Sequence, residues 1–220
     1  MRNKWTKEMR PSAPLLPAAV SLLHVPLLII TLLSACSFTN QQPTAGVSNW
    51  DQQINSLEQL DQWQIEGKLG YRDSNDGGSA WLHWQQEQES FNVTLNGPFG
   101  TGTTKIIGAS NYAQLQRAGH EHITATSPSA LTEFLFGWQW PVEQLQFWVK
   151  GIPAPDVPKQ SFSHNTDGTL ALLKQSNWTL KFSNYEKTGN WVLPGKIKGQ
   201  NGDYHFTLVV KNWLSEEISR

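Results

Sequence analysis

A two-residue alternation of apolar and polar side chains runs through most of the chain, and it restricts the fold more than any other feature. Trp63, Ile65, Gly67, Leu69 and Tyr71 alternate with polar neighbours. Ala80, Leu82 and Trp84 repeat the pattern on one face, with Trp81 and His83 on the other. Phe91, Val93 and Leu95 follow, then Trp178, Leu180 and Phe182, and finally Tyr204, Phe206, Leu208 and Val210. Period two sends successive side chains to opposite faces, so each segment reads as a strand with one buried face. Further strands are expected at 102–108, 111–117 and 121–126. Turn residues separate the runs: Asp76-Gly77-Gly78, Asp167-Gly168 and Asn201-Gly202, the last two read as primed hairpin turns. About ten or eleven strands joined by short turns imply one antiparallel sheet, and a sheet of that size curls into a barrel or half-barrel. The fold class is therefore mainly β.

Helical spacing interrupts this pattern three times. Trp50, Ile54, Leu57 and Leu60 follow the N-cap candidates Ser48 and Asn49, which predicts a helix over about 49–60. Ser127-Pro128 is an N-cap followed by Pro at the first helical position; Leu131, Phe134 and Leu135 supply an apolar face, and Gly137 stops it. Pro141 starts a third helix, with Leu145, Trp148 and Val149 apolar and Gly151 at its end. Ile152-Pro153-Ala154-Pro155 reads as an extended crossing. The short helices are expected to cover the open side of the sheet.

The N-terminus does not fit the fold pattern at all. Arg2, Lys4, Lys7 and Arg10 precede an apolar stretch, densest over Leu27–Leu33, that ends in Ser34-Ala35. That is the layout of a secretory signal. Leu33-Ser34-Ala35-Cys36 resembles the bacterial lipobox. There the cysteine thiol receives a diacylglyceryl group, the chain is cut before it, and the new amino group is acylated. The reading divides the chain into a lipoprotein signal peptide (1–35), the lipidated Cys36 with a flexible tether (36–47) and one domain (48–220). Several acyl chains, at about 0.8 kcal/mol per buried methylene, make a stable anchor. Cys36 is the only cysteine, so no internal disulfide can form. The signal holds four basic residues and one acid, leaving 13 basic against 17 acidic side chains, a net of about −4. A weakly acidic domain is a poor nucleic-acid binder.

Motifs for catalysis are missing. There is no Gly-x-Ser-x-Gly elbow, no phosphate-cradling glycine loop and no His-Glu-x-x-His. His120-Glu121-His122 is the nearest approach to a metal site, but it reads as an exposed turn between strands and no third ligand accompanies it. No catalytic residue, metal or cofactor is expected.

Aromatic content is the informative feature, since ten of the eleven tryptophans follow Cys36. On a curved sheet the apolar concave face either packs on itself or surrounds a cavity, and the residues leave both open. Gly97-Pro98-Phe99-Gly100 follows the Phe91–Leu95 strand directly. Pro suits the second position of a type I turn and Gly the fourth, which sets the large apolar Phe99 at the tip. Such a tip either touches a membrane or an apolar ligand, or folds back onto its own domain.

Four stretches carry a resemblance to a known family. They are Trp84-Gln85-Gln86, Leu95-Asn96-Gly97-Pro98-Phe99-Gly100, Leu145–Gly151 with Pro153, and Asn212-Trp213. With the lipobox and the same order of elements, the chain resembles the LolB family of outer-membrane lipoprotein receptors. The resemblance implies an unclosed antiparallel β-barrel with helices over its opening. It implies a hydrophobic cavity that accepts acyl chains of client lipoproteins from the periplasmic carrier LolA and passes them to the inner leaflet of the outer membrane. Ser37 after the lipidated cysteine agrees with outer-membrane sorting in such a family. Its protruding loop carries an apolar residue, usually Leu, at the position of Phe99, so Pro98, Phe99 and Gly100 are expected to form a membrane-insertion loop. The cavity is expected to be lined by Leu82, Trp84, Val93, Leu95, Trp148 and Trp178. The implied protein is a monomer without nucleic-acid partners. A contrasting reading is a non-enzymatic lipoprotein that scaffolds an outer-membrane assembly machine; its aromatics would be core and interface, and it would bind no fatty-acid probe.

Overall fold

The computed structural model of the chain describes residues 45–97, 102–136 and 139–214. The expected signal peptide, Cys36 and the tether up to residue 44 lie outside those residues, as does the loop tip Pro98–Gly100; residues 45–47, expected in the tether, belong to the first helix.

Helix α1 (Ala45–Glu58) opens the described chain, four residues earlier than its capping residues suggest. Helix ends are set by small capping preferences, so the boundary is the weakest part of such an expectation. Its apolar stripe does bury: Trp50, Leu57 and the following Leu60 enter the core, and Ile54 packs against it.

Six strands then form an antiparallel meander: β1 (Gln62–Arg72), β2 (Gly77–Glu87), β3 (Ser90–Asn96), β4 (Thr103–Ala109), β5 (Tyr112–Arg117) and β6 (Ile123–Ala125). Helices α2 (Pro128–Phe136) and α3 (Val142–Trp148) follow. A second meander closes the chain: β7 (Lys159–His164), β8 (Leu170–Gln175), β9 (Trp178–Thr188), β10 (Trp191–Asn201) and β11 (Tyr204–Leu214). The sheet order is β6-β5-β4-β3-β2-β1-β11-β10-β9-β8-β7, and every neighbour is antiparallel. The last strand thus pairs with the first, which joins the meanders at the middle and leaves β6 and β7 as unpaired edges. The sheet is not closed. The connection from β6 to β7 must travel from one edge to the other, and α2, α3 and the Ile152–Pro155 crossing lie along that route.

Alternation fixes which face is buried. Trp63 and Ile65, then Ala80, Leu82 and Trp84, then Leu180 and Phe182, then Phe206, Leu208 and Val210 all point to one core. Two glycines permit the central packing. At the β1–β11 bulge, a Cβ on Gly67 would lie 2.2 Å from the Val209 carbonyl oxygen, so only glycine allows that approach. A Cβ on Gly199 would lie 2.1 Å from the Phe206 ring. That ring therefore lies over bare backbone and packs between Trp140 and Trp178, at 5.8 and 5.3 Å between centroids.

Some local expectations need correction. The β10–β11 hairpin turns on Gly202-Asp203, not Asn201-Gly202, because Asn201 pairs with Tyr204. Only Gly202, at φ 57°, leaves the ordinary region there, which suits a Gly-x turn. Asp167-Gly168 sits inside a longer β7–β8 loop rather than a two-residue turn. Pro141 precedes α3 as its N-cap residue. Phe134 faces outward, 69 % exposed, because Leu131 already takes the core side of α2.

Candidate functional site

A cavity of about 100 Å³ lies between the sheet and the α2–α3 hairpin. Its floor is the first meander: Leu82 and Trp84 from β2, Phe91, Val93 and Leu95 from β3, and Ile106 from β4, flanked by Leu69 and Leu208. The roof is Pro128, Leu131 and Thr132 of α2, with Trp140 and Val142 at the start of α3. Strand pairing sets the floor: Leu82 opposes Leu95 and Trp84 opposes Val93, which in turn opposes Ile106. Alternation delivers each of these to the concave face.

The side-chain polar groups of Trp84 and Thr132 are satisfied in directions away from it. Trp84 Nε1 donates to Gln86 Oε1 at 3.0 Å, and Gln86 Nε2 donates to the Gln88 carbonyl at 2.7 Å. Thr132 Oγ1 donates to the Ser129 carbonyl at 2.8 Å and accepts from the Trp140 amide at 2.9 Å. The space is therefore lined by hydrocarbon and ring faces, a surface that favours an apolar guest over water.

The roof is stitched as one piece. Ser127 caps α2, accepting from the Ala130 amide at 3.1 Å. Glu143 of α3 accepts from the Ser129 amide at 3.2 Å and from the Ser129 hydroxyl, and its negative charge suits the N-terminal end of α2. Toward the sheet, α2 packs most closely on β5 and β6, where Leu131 meets Ala113 and Leu115.

Trp148 and Trp178, expected in the cavity, are placed elsewhere. Trp148 is fully buried and its Nε1 donates to Gln175 Oε1 at 2.8 Å. Trp178 packs on Phe206 within the second meander. Both rings fill core that the alternation could not distinguish from cavity wall.

Gln175 itself escaped the sequence reading. It is fully buried at the end of β8, accepts from Trp148 Nε1 and the Ala154 amide, and donates to the Ala154 and Val157 carbonyls. One side chain thereby clamps the crossing segment to the sheet. Lys150 is the second omission. Only 4 % exposed, it donates to the carbonyls of Leu57 and Leu60 at 2.7 and 3.0 Å, at the C-terminal end of α1. Burial pushes its ammonium down to about 8, while Glu58 and Asp61 pull the other way. A lysine inside the apolar run Trp148-Val149-Lys150-Gly151-Ile152 is the signal that could have marked it, since a buried cation needs partners.

His120-Glu121-His122 lies exposed in the β5–β6 turn. Among the described residues, no group of His, Cys, Asp or Glu is placed to hold a metal ion. No described helix is long and apolar enough to cross a membrane.

Comparison with known proteins adds a family to this geometry. The family model described as outer membrane lipoprotein LolB matches residues 61–213. A protein named outer-membrane lipoprotein LolB from Stutzerimonas stutzeri is 35% identical over 201 residues, covering 90% of this chain and 97% of its own. Its namesake from Pseudomonas aeruginosa is 35% identical over 195 residues, covering 87% and 95%. Among solved structures, a DUF1329 family protein from Desulfovibrio piger superposes with a TM-score of 0.52 at 6% identity, covering 79% of this chain and 92% of its own. That likeness concerns the fold alone. A LolA superfamily protein from Nitrosomonas europaea gives a TM-score of 0.47 at 10% identity, with 79% and 96% covered.

Proposed function

The chain belongs to the outer-membrane lipoprotein LolB family, and on that premise we propose that it receives lipoproteins at the outer membrane and inserts them there, holding their acyl chains in the cavity under α2–α3. It is a trafficking receptor and not an enzyme. The supporting observation is the apolar cavity, whose lining side chains Trp84 and Thr132 direct their polar atoms into hydrogen bonds away from it. Leu82, Trp84, Val93 and Leu95 form its sheet side.

Ligand pockets typically measure about 300–1,000 Å³, so the 100 Å³ cavity takes only part of an acyl chain as it stands. Fuller entry requires the α2–α3 hairpin to lift off β3 and β4. The donor is the periplasmic carrier LolA, whose cargo moves without nucleotide hydrolysis. Direction then comes from a difference in affinity between the two cavities. Cys36 carries the anchor, and Phe99 at the β3–β4 loop enters the leaflet to let the chains leave. Burying a Phe contributes roughly 1.5–3 kcal/mol, enough to orient the domain but not to lock it.

Transfer is the test. Purified carrier loaded with a lipoprotein is mixed with this protein, and the lipoprotein is followed. It should move to this protein, and Phe99→Glu should leave that uptake intact while blocking release into vesicles. If folded protein takes up nothing, the scaffold reading is the better one.

A further inference from the structure

The convex face of the sheet carries an arrangement that the cavity does not explain. Trp81 projects from β2 with 59 % of its surface exposed. The strand register extends a row of outward residues from Thr103 through Asn96, Trp81, Lys68 and Val209 to Lys196. The adjoining row, nearer the β1–β2 turn, runs Ser79, Gly70, Thr207, Lys198 and Lys181. Four lysines therefore share two neighbouring rows that contain no carboxylate. Lys198 and Lys181 oppose each other directly, and like charges so placed are destabilising. None of the four is ion-paired among the described residues. Glu66, on the neighbouring row, is engaged by Asn212 Nδ2 at 3.0 Å and faces His83. Such a patch is unexpected on a chain with more acidic than basic residues.

An exposed indole beside clustered ammonium groups suits a membrane interface. The ring rests at headgroup level while the lysines meet anionic phosphates. Position favours this occupant over an acidic protein. Asn96, the row neighbour of Trp81, is the last residue of β3, where the chain leaves for the loop carrying Phe99.

We propose that Trp81, Lys68, Lys196, Lys198 and Lys181 form a second membrane contact that takes anionic phospholipid headgroups. This rests on the reading that the protein works at the outer-membrane surface. It adds a lipid class and a face of the sheet to that reading. The contact lays the convex face against the leaflet at the level where the loop springs.

The test uses the full lipid-anchored protein in vesicles of phosphatidylethanolamine alone or mixed with phosphatidylglycerol. Amine acetylation, read by mass spectrometry, reports each lysine. On phosphatidylglycerol vesicles the four lysines should react several-fold more slowly than on phosphatidylethanolamine alone, with the difference lost at high salt. Lys159, on the distant β7, should react equally on both. Lys181→Gln with Lys198→Gln should remove most of the protection of Lys68 and Lys196, since each charge removed lowers affinity for the anionic surface roughly fivefold. Trp81→Ser should remove a component of quenching by brominated lipid. Equal rates on both vesicles would overturn the proposal, as would protection that arises only when the carrier is added. Uptake of lipoprotein from the carrier is measured beside this. Its absence would count against the receptor reading while leaving lysine protection intact as support for the lipid contact.

Discussion

The two meanders share one sheet and one alternating pattern, yet one encloses a cavity and the other is solid. In the second, Leu170, Leu173, Leu180, Leu193 and Ile197 are essentially inaccessible, and Trp178 and Phe206 pack ring against ring. In the first, Phe91, Val93 and Ile106 remain only partly buried around open space. The difference lies in what covers them. The crossing segment is clamped to the second meander by Gln175 and Trp148, buried partners that satisfy each other. The α2–α3 hairpin is stitched to itself through Ser129 and Glu143, and meets the first meander chiefly at its outer strands. A fixed cover lets side chains close-pack, whereas a separately braced one leaves room for a guest.

Breaking the clamp should have the largest effect. Gln175→Leu leaves the Trp148 indole and the backbone groups of Ala154 and Val157 unpaired in the core. Buried unsatisfied groups cost about 1–3 kcal/mol each, so a loss of about 4 kcal/mol is expected in urea unfolding. Leucine truncation sharpens the contrast. Leu180→Ala in the solid half should lose toward the upper part of the roughly 2–5 kcal/mol range, and Leu82→Ala beside the cavity toward the lower part. Equal losses in unfolding experiments would mean that the two halves are packed alike.

The pH response of Lys150 gives a smaller effect. Its folded value, about 8, lies below the ordinary 10.5 of a solvated lysine. Between those values the unfolded chain binds more protons, so stability should rise as pH increases through that window. Lys150→Met should flatten the rise, measured by thermal unfolding across the same range. Trp81→Ser, on the exposed face, should change stability by less than about 0.5 kcal/mol.

Much of this was legible in the residues. Alternation marked β1, β2, β3, β9 and β11 and their buried faces, because period two is imposed by backbone geometry whatever the tertiary context; β7, fully exposed, and β10, interrupted by Pro194-Gly195, carry no such signal. Ser127-Pro128 marked α2 for an equally local reason. The strand register brings Leu82, Trp84, Val93 and Leu95 to the cavity wall. Trp148 and Trp178 were not separable from them, since filling depends on where the distant Gln175 and Phe206 meet those rings. Gln175 looks from sequence like the polar end of a strand. Its role exists only once the Ile152–Pro155 crossing passes over it.

Mapping the bound acyl chain tests the central contrast most directly. A lipoprotein bearing a photoreactive acyl chain would be transferred from the carrier to this protein, illuminated, and its adducts located by mass spectrometry. Adducts should fall on β2, β3, β4 and the α2–α3 roof, around Leu82, Val93, Leu95 and Leu131. Adducts concentrated on β8–β10, around Leu173 and Leu180, would contradict the assignment of one half as cavity and the other as solid support.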